Sequence, residues 1–206
     1  NKISGVSKII SKGHRNVQGI FFDKDEKVIL STEHGPMGGD EININKNLNN
    51  KVNNYGWPIS SYGEHYPGKN LTELEKSQLD EVNKKAPLFK SHSKYGFEEP
   101  IISFTPSIGI SQIIYVQDYN NTSSNKDYFV ASLGKKKIED SENNQKDNLP
   151  RSLYHITFDK NYNTIVNKDR IFVGSRIRDL QYYKEKNIIF SYLEKDGSIA
   201  LFKLVN

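Results

Sequence analysis

The feature that most constrains this chain is a strand phrase that recurs. Three short segments rich in Val, Ile and Phe follow one another across polar connections: QGIFF at 18–22, KVILS at 27–31 and DEINI at 40–44. The phrase returns near the C-terminus as RDLQYY at 178–183, NIIFSY at 187–192 and SIALFKLV at 198–205. A looser middle copy reads ISQIIYV at 110–116, DYFVAS at 127–132 and, after a polar insertion, SLYHITFD at 152–159. β-Branched and aromatic residues suit a pleated, half-buried surface, and repetition of whole phrases marks a repeat architecture whose units stack. One neighbouring strand per phrase completes a four-stranded antiparallel unit, the form of a propeller blade. The candidates are VSKII at 6–10, IISF at 101–104 and RIFVG at 170–174. The expected fold is therefore all-β: a β-propeller of about three four-stranded antiparallel blades. An irregular β-sandwich is the competing architecture, since short strands and long loops serve both; repetition of whole phrases is what separates them.

Helix is expected only in LTELEKSQLDEV at 71–82, where Leu71, Leu74, Leu79 and Val82 form one apolar face. It lies in an insertion around 63–99 within a single domain spanning 1–206. Residues 120–126 and 139–149 are too polar to bury and read as solvent-facing loops. No apolar run approaches the roughly 20 residues that cross a bilayer, in keeping with a mean hydropathy of −0.71. The net charge of +4 comes from 29 basic and 25 acidic residues. The basic runs at 84–87 and 135–140 are short and flanked by acids, which argues against a nucleic-acid surface. The absence of cysteine excludes disulfides and thiolate metal sites while leaving the periplasm open.

The polar chemistry concentrates in TEHGPMGGDEININKNLNNKVNNYGWP at 32–58. Glycines there permit tight turns and close approaches, and the carboxylates of Asp40 and Glu41 suit calcium, which takes oxygen ligands. A long hairpin connection is the plainer reading of the same residues. GHRN at 13–16 precedes the first phrase and GSRIRD at 174–179 precedes the last, so arginines stand before equivalent strands. Arg15, Arg176 and Arg178 are suited to paired hydrogen bonds with carboxylates or phosphates, and Arg176 and Arg178 project to one face of a strand. Surface salt bridges are the alternative for each. Lys135 or Lys136 occupies a comparable end of the middle unit. His34 can accept a proton near neutrality or hydrogen-bond a ligand. The remaining histidines lack a metal-ligand spacing, and His155, within a strand, reads as structural. Trp57 is expected to pack rather than cover a ligand, and Tyr62, Tyr66 and Phe104 are candidates for a site mouth.

In GHRNVQGIFF at 13–22, TEHGPMGGDEINI at 32–44, NNYGWP at 53–58, TPSIG at 105–109 and SRIRDL at 175–180, the chain resembles the soluble quinoprotein glucose and aldose sugar dehydrogenases. These are six-bladed β-propellers that use pyrroloquinoline quinone and calcium. The resemblance implies that Arg15 and Asn16 belong to the quinone pocket, that His34 serves on the cofactor side, and that the carbonyls of Gly35 and Pro36 bind calcium. It sets Arg176 and Arg178 against the quinone carboxylates and adds Thr105 and Lys135 to the pocket. It further implies a periplasmic or secreted protein that passes electrons from an aldose to an acceptor. In the family reaction a histidine removes the sugar C1 hydroxyl proton as hydride moves to the quinone. That histidine belongs to an earlier blade, upstream of GHRN, and only 12 residues precede GHRN here. No catalytic residue is therefore assigned, and the expectation is a truncated chain, inactive alone, completed by a missing propeller half or by a second copy. The alternative is a noncatalytic propeller module that binds calcium or a small ligand.

Overall fold

The computed structural model describes residues 5, 8–49, 51–67, 71–117, 119, 125–134 and 151–204. Thirteen strands and one α-helix form in them. The first unit consists of β2 (Val17–Asp23), β3 (Val28–Glu33), β4 (Asp40–Asn45) and β6 (Ile102–Phe104), paired antiparallel in that order. The second comprises β7 (Ile110–Tyr115), β8 (Asn125–Ser132), β9 (Ser152–Asp159) and β10 (Ile165–Phe172), again antiparallel. The third has β11 (Ile177–Tyr183), β12 (Ile188–Leu193) and β13 (Ser198–Lys203). The expected all-β propeller blades are thus present, two with four strands and one with three among the described residues.

Two of the expected fourth strands form: IISF contributes β6, and RIFVG lies at the end of β10, which begins at Ile165. VSKII does not. Its described residues, 8–10, form no strand. The chain next to them makes β1 (Ser11–Lys12), which pairs in parallel with β5 (Asn53–Asn54) and so ties GHRN to NNYGWP.

Within the middle unit β8 and β9 are covered on both faces, whereas β10 is exposed along its length. Tyr128, Val130, Tyr154, Ile156 and Phe158 pack with Val28, Leu30, Ile42 and Ile102 of the first unit. From the other side of the same strands, Phe129, Ala131 and Leu153 meet Ile177, Leu180 and Ile189 of the third. This is why DYFVAS and SLYHITF read as continuous runs, whereas burial alternates along β12, at the open side of the third unit. The open faces carry apolar side chains, among them Ile20 and Phe22 on β2 and Phe190, Tyr192, Ile199 and Leu201 on β12 and β13.

Strands β2, β7 and β11 lead their units and run side by side, with β7 touching both of the others. Gly19 permits this closeness, since a Cβ there would lie 2.6 Å from Gln112 Oε1 and 2.9 Å from Gln112 Cα. Hydrogen bonds stitch the three units together: Thr32 Oγ1 donates to the Ser111 carbonyl at 2.5 Å, and Ser111 Oγ to the Ile177 carbonyl at 2.6 Å. The segments just before these strands, GHRN, TPSIG and GSR, gather at one end for the same reason.

Helix α1 (Glu73–Lys85) starts at an N-cap Thr72 with a reciprocal capping box to Glu75. No residue of it is buried, and Leu74 and Val82 are 70% and 61% exposed. The helix overlaps the predicted 71–82 but is shifted toward the C-terminus, so that Leu71 falls before its N-cap, and its apolar face stays unburied.

Candidate functional site

At the gathered end lies a cleft of about 300 Å³ lined by Arg15, Asn16, His34, Gly35, Pro36, Asp40, Tyr66, Ser107, Gly109 and Gly134. Seven of the residues singled out in the sequence share this one surface: Arg15, Asn16, His34, Gly35, Pro36, Asp40 and Tyr66. Their positions follow from two buried carboxylates. Glu33, at the end of β3, accepts from the Arg15 backbone N–H at 2.6 Å and from Asn43 Nδ2 at 2.6 Å, and its Oε1 lies 3.1 Å from His14 Nδ1. His14 is also stacked on Tyr55, with ring centroids 4.6 Å apart. GHRN is thereby held against TEHGP, and the His34 N–H donates to the Asn16 carbonyl at 3.0 Å.

Asp40 does the same work for the opposite rim. Its Oδ1 accepts from the Gly35 N–H at 3.3 Å and from Ser107 Oγ at 2.9 Å, while Oδ2 accepts from the N–H groups of Ile108 and Ile110, each at 3.0 Å. Both Asp40 oxygens are thus engaged, and the side chain clamps EHGP to TPSIG. Glu41 is buried, and burial together with the neighbouring Glu33 charge pushes its carboxyl up to about 8. Gly35 is enforced by crowding, because a Cβ there would sit 2.2 Å from the Gly39 carbonyl oxygen.

Arg15 bridges the wall. Its Nη1 donates to the His34 carbonyl at 3.1 Å, and its guanidinium carbon lies 5.2 Å from the Trp57 ring centroid. Trp57 therefore packs on Arg15, an assignment within its packing expectation. His34 Nε2 is buried and has no hydrogen-bond partner among the described residues. In a folded protein such an atom calls for a ligand or a water.

The two later arginines form a separate shoulder. Arg176 Nε and Arg178 Nη2 donate to the two oxygens of one carboxylate, Glu194, at 2.8 and 2.7 Å. The salt bridges that were the alternative reading of these arginines are present, and the two side chains meet on one carboxylate although Arg176 precedes β11. Arg176 Nη1 also donates to the carbonyls of Leu133 and Gly134, and Gly134 lines the cleft. Arg178 Nη1 donates to Gln18 Oε1 at 3.0 Å, and Gln18 Nε2 donates in turn to Asn16 Oδ1 at 2.9 Å. Hydrogen bonds from Arg178, and next those from Arg176, hold the Glu194 carboxyl below its ordinary range.

Thr105 is exposed and does not line the cleft, though its hydroxyl reaches the Tyr62 carbonyl at 3.5 Å and its neighbours Ser107 and Gly109 do line it. Lys135 lies outside the described residues. Tyr66 stands at the cleft, but Tyr62 turns to Glu99 at 2.8 Å and Phe104 is core, edge-on to Tyr154. His155 is structural as expected, 2.8 Å from Asp127 in the middle unit.

Sequence reasoning passed over three contributors. Glu194 is signalled only by hairpin register, its N–H bonding the Arg176 carbonyl at 2.9 Å. Gln18 is recognisable only once β2 and β11 are known to be neighbours. His92, nearly fully buried, stands 3.6 Å from both Glu41 and Glu99, too far to hydrogen-bond, and burial lowers its basicity. Nothing in its local sequence distinguishes it.

The fold is that of part of a β-propeller, and similarity to known proteins specifies which kind. The Glucose / Sorbosone dehydrogenase family model matches residues 1–201, and the chain belongs to that family. It is 28% identical over 132 residues to the aldose sugar dehydrogenase YliI of Escherichia coli strain K12, covering 64% of this chain and 30% of the relative. Over 53 residues it is 49% identical to the quinoprotein glucose dehydrogenase B of Acinetobacter calcoaceticus, covering 26% and 10%. A glucose dehydrogenase crystal structure shares the fold with a TM-score of 0.64 at 24% identity, covering 95% of this chain and 46% of that one. The chain thus spans less than half the length of the relatives it matches.

Proposed function

We propose that the polypeptide carrying this chain is a quinoprotein aldose sugar dehydrogenase, and that residues 1–206 supply the cofactor side of its site as one partial propeller domain with an insertion around 63–99. The observation that carries this reading is the single cleft shared by Arg15, Asn16, His34, Gly35 and Pro36; His34 Nε2 is buried and has no hydrogen-bond partner among the described residues. The residues fit pyrroloquinoline quinone and calcium: a polar, crowded rim with two carbonyl-bearing small residues, and arginines beyond it suited to carboxylates. When bound, the quinone supplies the acceptor for the hydride leaving the sugar C1.

The chain's own residues bind and orient. His34 Nε2 would hydrogen-bond the cofactor, Arg15 and Asn16 would flank it, and the carbonyls of Gly35 and Pro36 would hold the cation. Arg176 and Arg178 would neutralise carboxylate charge, with Thr105 and Lys135 as further pocket residues. Proton removal from the sugar is assigned to no residue here, in line with a base contributed by an upstream blade. The exposed Ile20 and Phe22 at one end of the stacked sheets and Ile199 and Leu201 at the other support completion by further blades or by a second copy. The family resemblance further supports a periplasmic or secreted location.

Reconstitution of the whole polypeptide with calcium and the quinone, followed by aldose-dependent dye reduction, tests the assignment. Saturable quinone binding with sugar-dependent turnover is expected, and absence of quinone binding would sink it. The alternative, a noncatalytic calcium- or small-ligand-binding propeller module, predicts binding without turnover in the same experiment.

A further inference from the structure

The Arg176 and Arg178 pair already holds a carboxylate, and the chain itself provides it. Both oxygens of Glu194 are used, one on each guanidinium. The remaining donors point toward the cleft: Arg176 Nη1 reaches the cleft residue Gly134, and Arg178 connects through Gln18 to the cleft residue Asn16. Two cations share one anion, so the shoulder retains one net positive charge. Glu194 follows the last residue of β12, with its side chain 32% exposed, and is held there by hydrogen bonds rather than by burial.

We infer that Glu194 is a built-in counter-ion that holds the two arginine forks in place while the site lacks an acidic ligand and sets how strongly they attract one. This rests on the proposed quinone reading for the identity of the natural ligand, but the device itself requires only a compound with paired carboxylates. An arriving dicarboxylate shares or takes over the guanidinium donors, and the Glu194 charge opposes it throughout. Removing that charge doubles the net positive charge of the pair and relieves the competition. Glu194 is a positioning residue in this scheme, since it acts through Arg176 and Arg178.

The test is calorimetric titration of the whole polypeptide with pyridine-2,6-dicarboxylate and, separately, with pyrroloquinoline quinone, at low and high salt. Glu194→Gln is expected to tighten dicarboxylate binding by about threefold or more at low salt, the scale of one partly exposed ion pair. The gain should shrink at high salt as the charges are screened. Glu194→Asp, which keeps the charge, should bind as the parent does, and Arg176→Gln should bind more weakly than the parent. Thermal melts establish that each variant is folded. Unchanged or weaker dicarboxylate binding by a folded Glu194→Gln variant, or no dicarboxylate binding by any variant, overturns the inference. Dicarboxylate results as expected with no quinone binding leave Glu194 in this role and remove the quinone reading instead.

Discussion

The wall of the cleft and its arginine shoulder are built from the same kinds of group, carboxylates and their donors, yet they are held in opposite ways. In the wall, Glu33 and Asp40 are nearly fully buried, and each accepts from backbone N–H groups of a neighbouring loop. In the shoulder, Glu194 is partly exposed and bonds only to long, flexible side chains. A buried acceptor whose donors are backbone groups cannot be lost without stranding those donors, whereas an exposed ion pair exchanges its partners with water at little cost. The wall is therefore a rigid frame for a ligand and the shoulder an adjustable contact.

The sharpest way to break this comparison is Asp40→Ala, which strands the N–H groups of Gly35, Ile108 and Ile110. A loss on the order of 3 kcal/mol in urea unfolding is expected. A loss below about 1 kcal/mol would mean that the loops do not depend on the clamp. Glu33→Gln keeps the shape but removes the charge that gathers Arg15, Asn43 and His14. About 2 kcal/mol should be lost, and the His14 ring resonances should shift in NMR spectra.

Titration sharpens the same contrast. Burial raises Glu41 from an ordinary 4.5 to about 8, so between those values the native protein holds a proton that the unfolded chain releases. Stability from this group falls as pH rises from about 4.5 to about 8 and is level above that. Lowered basicity of buried His92 acts the other way, weakening the fold on acidification below 6.5. The difference between Glu41→Gln and the parent isolates the first effect. The variant should gain on the parent as pH rises through this interval, and parallel profiles would show that Glu41 is ionised in the fold. The smallest change is expected at the shoulder, where Glu194→Gln should alter unfolding free energy by less than about 1 kcal/mol. A larger loss would place the shoulder with the wall.

Much of this was legible before any coordinates. Ten of the strands lie within one or two residues of the bounds their sequence predicts, because apolar and β-branched runs between polar turns carry that information locally. Arg15, Asn16, His34, Gly35 and Pro36 were named from their motifs, and they do share one cleft. What local pattern misled was partnering. VSKII has the composition of a strand, but its described residues 8–10 form none, and no residue of α1 is buried despite its apolar stripe. The clamping role of Asp40 was not legible either, because its donors, at Ile108 and Ile110, lie far along the chain.

The sequence by itself determined which segments become strands, how they repeat, and which family the motifs point to, since each depends on short-range pattern. Only the tertiary structure decided the state of each charged group. Stacking β2, β7 and β11 side by side brings loops from three separate repeats to one end of the fold. Whether a carboxylate there clamps a loop, keeps its proton or neutralises an arginine depends on burial and on neighbours that are distant in the chain. Asp40, Glu41 and Glu194 are the same chemistry in three environments, and the environment, set by packing, gives each its role.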